Sequence, residues 1–350
     1  MQDKLIECVP NFSEGNDLAV IEKIASEIRS VPGVYLLHID SGKSVNRTVM
    51  TFAGKPLQVV EAAFLAVKKA AELIDMRRQS GHHPRIGSTD VCPLVPLHQS
   101  TMEETIQLSR ALGKRIGNEL EIPVYCYAEA AFDDKRKRLE HCRKGGYELL
   151  KEQMHCTDRK PDYGPEKFNT KTGATTVGAR NFLIAYNVNL DSSSLEIAQS
   201  IARSIRETAP QTCSVSNRHN GIKNVKAIGW HIPEFRGRVQ VSTNIMNFNE
   251  TPVYRVYEKV KQEAEKRNVL VTGSEIVGLI PEKALLDSGY FYMQQTDDCT
   301  LYNDRECIQY AVKGLGLSDL YPFDPHQKIL EYVMEQVMKG NKKFVISQGY

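Results

Sequence analysis

Apolar residues recur along the chain at two spacings, one near two residues and one near three to four. Leu5–Val9 is a short apolar run that predicts a buried strand, and Pro10-Asn11-Phe12-Ser13-Glu14-Gly15 leaves it as a polar turn. Leu18, Ile21, Ala25, Ile28 and Val31 then fall at helical spacing, and Pro32-Gly33 ends the helix. Val34–Ile39 and Thr48–Ala53 predict two strands, joined as a hairpin through the polar turn Asp40–Arg47. Pro56 suits the first turn of a helix, with Leu57, Val60, Phe64, Val67, Ala71 and Ile74 marking its buried face. A strand over Val91–Val95 completes the order β-α-β-β-α-β, a split βαβ unit.

The pattern continues with a helix over Thr101–Leu120 and an edge or added strand over Ile122–Tyr127. Ala128–Lys160 is charged and helical in part, over Tyr147–Met154. From Pro161 to Gly178 the chain is polar and glycine-bearing, with no periodicity, and loops of that length are functional or disordered. The second half then repeats the first. It shows a strand over Phe182–Val188, a helix to Arg206 and a polar insertion over Glu207–Asn224. A hairpin over Val225–Ile232 and Arg238–Asn247, a helix over Pro252–Lys266 and a strand within Val269–Ile280 follow. Gly273-Ser274-Glu275-Ile276 leads an apolar run closed by Pro281, as Gly87-Ser88-Thr89-Asp90 leads one closed by Pro96. This predicts an α/β (α+β) fold made by duplication, with helices Pro281–Ser288, Asp304–Val312 and His326–Met338 filling the C-terminal end. The expected division is 1–180, 181–335 and a tail, 336–350. One half would hold the chemistry and the other would bind.

Composition narrows the function classes. Of 350 residues, 41% are hydrophobic and 25% charged, as in soluble globular proteins. A net charge of +2 argues against nucleic-acid binding driven by bulk charge. No apolar run approaches membrane-spanning length, and the charged start has no signal-peptide core, so neither a membrane partner nor export is expected. Eight cysteines without a C-x-x-C pattern read as free thiols of a cytoplasmic protein. His141-Cys142 and His155-Cys156 are adjacent pairs that do not match zinc-ligand spacing, so no metal is expected. Gly314-Leu315-Gly316 follows a helical stretch and reads as a helix end, and Trp230-His231 as packed strand residues.

The candidate chemistry is concentrated in Ser80–Pro96. Pro84 disfavours the helical region for His83 and holds it extended, while Gly81 and Gly87 permit tight backbone geometry on either side. Histidine both accepts and donates a proton near neutral pH. Arg85 and Asp90 lift this stretch above an ordinary polar loop before a strand.

Several motifs together carry a resemblance. Cys8–Gly15, Asp40-Ser41-Gly42, Asn46-Arg47-Thr48-Val49, His83-Pro84-Arg85, Asp90-Val91-Cys92-Pro93, Asp162–Pro165 and Val241–Asn244 resemble the formiminotransferase family, over about residues 4 to 335. That family is also found as the N-terminal part of formimidoyltransferase-cyclodeaminase. The resemblance implies two tandem ferredoxin-like subdomains and a homodimer. It implies transfer of the formimino group of N-formimino-L-glutamate to N5 of tetrahydrofolate, the co-substrate, in histidine degradation. Its catalytic histidine maps onto His83, not His82. Its folate-contacting loop maps onto Gly164, Pro165, Glu166, Lys167, Phe168, Asn169, Thr170, Lys171, Thr172 and Gly173. Within it, Glu166–Thr172 departs from the Pro and Trp of animal members. The chain stops near the end of the transferase part, so ammonia loss from formimino-tetrahydrofolate is not expected of it, which leaves room for a separate cyclodeaminase as partner.

The residue types suit that chemistry. A cationic amidine needs a carboxylate beside it, for which Asp40 and Asp90 are the candidates, each with a turn or strand-end cap as its alternative. Arg47 and Arg85 offer bidentate geometry to substrate carboxylates. Asn11, Asn46 and Asn244 would position amides or pterin edges, or bond their own backbone in turns. Formyl transfer with the same co-substrate, and folate binding without turnover, are the alternatives.

Overall fold

The computed structural model describes residues 4–43, 45–81, 83–154, 156, 159–207, 221–232, 237–295, 303–340 and 347–349. His82, the stretch 208–220 within the expected polar insertion, and 341–346 and 350 of the expected tail lie outside them. The chain divides into two units, Met1–Asn181 with Gly340–Tyr350, and Phe182–Lys339.

In chain order the first unit holds β1 (Ile6–Cys8), β2 (Asn11–Phe12), α1 (Leu18–Arg29), β3 (Val34–Gly42), β4 (Arg47–Gly54), α2 (Pro56–Leu73) and β5 (Thr89–Pro96). It continues with α3 (Met102–Glu119), β6 (Val124–Ala128), α4 (Leu139–Cys142), α5 (Gly146–Gln153) and β7 (Thr175–Ala179). The second unit holds β8 (Ile184–Leu190), α6 (Leu195–Ile205), β9 (Val225–Ile232), β10 (Arg238–Ile245), α7 (Val253–Glu265) and β11 (Val271–Val277). Four helices follow in it: α8 (Glu282–Met293), α9 (Asp304–Gly314), α10 (Pro325–Lys328) and α11 (Leu330–Met338). A last strand, β12 (Ser347–Gly349), returns to the first unit and pairs in parallel with β3.

The sheet of the first unit runs β12-β3-β4-β1-β5-β7-β6, with β2 bridging β4 and β5. Its β3-β4-β1-β5 core is antiparallel, the order of a split βαβ unit, and β6 and β7 extend it in parallel. The second sheet runs β11-β8-β10-β9 and has the same order. The duplication is therefore one of topology as well as of motif.

Apolar faces explain the packing. Ile6, Cys8, Met50, Phe52, Cys92 and Leu94 form one core with Ile21, Ile24 and Ile28 of α1, and with Val59, Ala63, Ala66 and Ala70 of α2. Of the expected face of α2, Phe64, Val67 and Ile74 are buried, and Leu57 is corrected. Leu57 is 72% exposed, because the buried stripe runs through the small alanines, which let α1 approach closely. A second correction concerns Thr175–Ala179, expected as loop and found as β7. Gly178 marked a loop in the sequence, yet a Cβ there would meet the Tyr127 ring at 2.5 Å, so packing demands the glycine. In the second unit, Tyr186, Val188, Val239 and Val241 pack under Ile201 of α6 and Val256 and Val260 of α7. Alternation along the strands turns Asn187, Asn189 and Gln240 to the opposite face. Among the described residues no helix is long and apolar enough to cross a membrane.

Candidate active site

The first unit gathers its polar side chains where β2, β4 and β5 meet. β2 is a two-residue strand held between β4 and β5, and it places Asn11 opposite Val49 and Val91. Asp90 is the second residue of β5 and is fully buried. Its carboxylate accepts from the Ile86 N–H at 3.1 Å and pairs with Arg47 Nη1 at 2.6 Å. It also pairs with Arg143 Nη2 at 2.5 Å, with Arg143 Nε 3.3 Å away. Arg47 Nε donates to Asn11 Oδ1 at 2.9 Å, so β2 orients the guanidinium that β4 supplies. Burial alone would raise the Asp90 carboxyl, but Arg143 and Arg47 outweigh it and hold it at about 2. Burial pushes Arg47 down to about 10, with Asp90 opposing the shift.

His83 is half-buried near this cluster. Its Nδ1 lies 2.8 Å from the Pro84 carbonyl oxygen, which can only accept. The neutral ring therefore carries its proton on Nδ1 and leaves Nε2 with the lone pair. Burial, then Arg47 and Arg143, push the imidazole down to about 3, against the pull of Asp90. It is neutral at physiological pH.

The segment bearing His83 is tied on both sides. Asn46, in the left-handed region at φ 47°, donates from Nδ2 to Gln79 Oε1 at 2.5 Å and to Ser80 O at 2.9 Å. Gln79 Nε2 donates to Glu14 Oε2 at 2.9 Å. Gly81 is needed there, since a Cβ would stand 2.4 Å from Val45 O. Arg85 Nη2 bonds Gln79 O at 2.8 Å and Glu148 Oε1 at 2.9 Å.

On the far side, the Ser88 N–H donates to Thr172 O at 2.8 Å and the Ala174 N–H to Ile86 O at 3.0 Å. The closing end of the Gly164–Gly173 loop is thus bonded to the His83 segment. Within that loop, Asn169 Oδ1 accepts from the Lys171 and Thr172 N–H groups, and Lys171 Nζ reaches Glu72 O at 2.8 Å. Phe168 packs against Tyr147, with ring centroids 5.4 Å apart. Glu166, Lys167 and Thr170 are exposed, with Glu166 paired to Lys160, and Gly164 and Pro165 are half-buried.

Asp40 is buried on β3. Register places Asp40, Val49, Asn11 and Val91 in one cross-strand row. Residues opposite one another share a face, so Asp40 and Asn11 face the same side, two strands or about 10 Å apart. Asn244 belongs to the other unit and is exposed on β10.

The sequence reading missed Arg143, Glu14, Gln79 and Glu148. Arg143 stood in a charged stretch read as partly helical. Gly145 and Gly146, at φ 84° and 64°, were the available signal, because paired glycines after a basic residue mark a tight turn that presents it. In the second unit the acidic residue that follows the Gly-Ser pair is Glu275, one position nearer to that pair than Asp90 is to its own. Its Oε1 accepts from Asn187 Nδ2 at 2.8 Å and Gln240 Nε2 at 2.9 Å, amides in place of guanidiniums.

The family model of the formiminotransferase domain, N-terminal subdomain, matches residues 5–180, and that of the formiminotransferase domain matches 185–335. Formimidoyltransferase-cyclodeaminase of Rattus norvegicus is 44% identical over 331 residues, 95% of this chain and 60% of that protein. The chain thus spans about three-fifths of that relative's length. Glutamate formimidoyltransferase of Streptococcus pyogenes serotype M1 is 43% identical over 84% of this chain and 95% of its own. The protein of the same name from Thermoplasma acidophilum is 45% identical over 83% of this chain and 92% of its own.

Proposed function

This chain belongs to the formiminotransferase family, and we propose that it moves the formimino group of N-formimino-L-glutamate to N5 of tetrahydrofolate, releasing L-glutamate in histidine degradation. The observation that carries the reading is the His83 imidazole, its Nδ1 proton engaged by Pro84 O at 2.8 Å and its ring neutral at physiological pH. N5 attacks the formimino carbon to give a tetrahedral intermediate. N5 then loses a proton and the departing glutamate nitrogen gains one. Nε2 of His83 takes the first and returns it to the second, a transfer that contributes about 10²–10⁴-fold once the anionic substrates offset Arg47 and Arg143 and bring the imidazole back toward neutral pH.

The amidine is cationic, and Asp40 is the carboxylate set to face it, sharing a sheet face with Asn11. Asp90 is saturated by Ile86, Arg47 and Arg143 and serves to hold them. Arg47 and Arg85 take substrate carboxylates, and Gly164–Gly173 contacts the folate. The unit 1–180 carries the proton chemistry and 181–335 contributes binding, with 336–350 a tail. A homodimer comes with the family resemblance. Free thiols at Cys8, Cys92, Cys126, Cys142, Cys156 and Cys307 suit the cytoplasm.

The test is an assay of purified protein with N-formimino-L-glutamate and tetrahydrofolate, following 5-formimino-tetrahydrofolate. Turnover confined to N-formyl-L-glutamate would make the protein a formyltransferase. Folate binding without turnover of either donor would end the catalytic reading.

A further inference from the structure

We propose that Arg143, together with Arg47, seats the α-carboxylate of the amino-acid donor, so that Arg143 selects a donor carrying that group. The proposal rests on the transfer reading above. One carboxylate, Asp90, faces two guanidiniums, so the cluster keeps one positive charge in excess. A buried surplus charge is costly unless an anion meets it. The donors to meet it are present: Arg143 uses Nη2 and Nε on Asp90, and Arg47 uses Nη1 on Asp90 and Nε on Asn11. Arg143 Nη1 and Arg47 Nη2 have no partner among the described residues. The Arg143 side chain is the more accessible, 15% exposed against 7% for Arg47. The Ile86 N–H, three residues past His83, bonds the same Asp90 carboxylate at 3.1 Å, which ties the two guanidiniums to the segment that carries the proton shuttle.

Covalent connectivity then chooses the anion. The donor's α-carboxylate is attached to the carbon that bears the reacting nitrogen. The carboxylates of the folate tail lie beyond the whole p-aminobenzoyl group from N5. An anion seat next to His83 is therefore within reach of the first and remote from the second. Arginine suits it because its planar fork can hold Asp90 on one edge and a second carboxylate on another.

The experiment is a thermodynamic cycle read by calorimetry, without turnover. L-Glutamate and L-isoglutamine, in which the α-carboxylate is an amide, are titrated into wild type, Arg143→Gln and Arg143→Lys. Loss of a charge-assisted contact predicts roughly 10–100-fold weaker binding of isoglutamine to wild type. Arg143→Gln should weaken L-glutamate by a similar factor and bind the two ligands almost equally, with Arg143→Lys between. Tetrahydrofolate affinity should stay within about threefold. Wild type that binds isoglutamine as tightly as L-glutamate overturns the seat whatever the variants do. So does an Arg143→Gln protein that still discriminates as wild type does. If removal of the folate's glutamate tail weakens wild type but not Arg143→Gln, the seat belongs to the folate and the proposal falls. Discrimination lost in Arg143→Gln, in a protein that turns over no donor, would uphold the seat and refute the transfer reading.

Discussion

Replacing Asp90 by Asn removes the one negative charge shared by two buried cations. The ion pairs stand at 2.6 Å to Arg47 and 2.5 Å to Arg143. At an effective dielectric near 20, each such pair is worth about 4 kcal/mol gross, so about 8 kcal/mol of attraction is lost. Against this, the variant no longer desolvates a carboxylate, which returns several kcal/mol. The remainder, about 3–5 kcal/mol, is the range expected when a buried pair loses one partner. For a unit of this size each kcal/mol moves the midpoint by about 2–4 °C, so Asp90→Asn should lower the Tm of the first unit by roughly 6–20 °C. Acid sensitivity gives a second reading. The folded Asp90 carboxyl titrates at about 2 rather than 3.8, so its stabilisation is complete above about pH 4 and fades as pH falls toward 2. That interval is worth roughly 2–3 kcal/mol. His83, depressed to about 3 from 6.5, gives a separate loss that begins at higher pH. Thermal melts followed by circular dichroism from pH 2 to 7 would show both. A drop in Tm below about 2 °C at pH 7, with the acid limb near pH 3 unchanged, would refute the idea that Asp90 neutralises this cluster.

The other predictions concern the reaction. His83→Ala should lower kcat by about 10²–10⁴ while folate affinity stays within roughly tenfold, and His82→Ala should do much less; the reverse ranking in steady-state kinetics would remove His83 as the shuttle. Asp40→Asn should reduce transfer from N-formimino-L-glutamate more than from neutral N-formyl-L-glutamate. An equal loss on both would make Asp40 an orienter, and no loss would leave it structural. Hydrogen exchange of residues 164–170 should slow at saturating tetrahydrofolate, whereas Thr172–Ala174, already bonded to Ile86 and Ser88, should change little. Unchanged exchange across the whole segment would take the loop out of the ligand's surroundings.

What could be read beforehand, and what could not, follows from the range of the interactions. Strand order and helix placement depend on local periodicity, and the two split βαβ units were legible in both halves. The face of α2 was legible at Phe64, Val67 and Ile74, which are buried, but not at Leu57, where the helix turns its alanines to α1. Nor was β7 legible, because Gly178 answers to the Tyr127 ring rather than to a turn. His83, Arg47 and Asp90 stood out through their neighbours in sequence. Arg143 lies 53 residues from Asp90 and announces itself only through the fold.

The same limit bears on why one unit and not the other is assigned the proton chemistry. Each carries an acidic residue after a Gly-Ser pair, Asp90 second in β5 and Glu275 fifth in β11, and in each an asparagine of an adjoining strand belongs to its surroundings. Around Asp90 the partners are guanidiniums, which fix a charge that pushes a nearby imidazole down. Around Glu275 they are the amides of Asn187 and Gln240, and the chain of amides continues to Asn189 and to the Trp230 indole N–H. Amides and indole do not titrate near neutrality, so these partners give Glu275 hydrogen bonds without a charge. Two sheets of the same strand order thus differ in the charge set beside one carboxylate, guanidiniums around Asp90 and amides around Glu275.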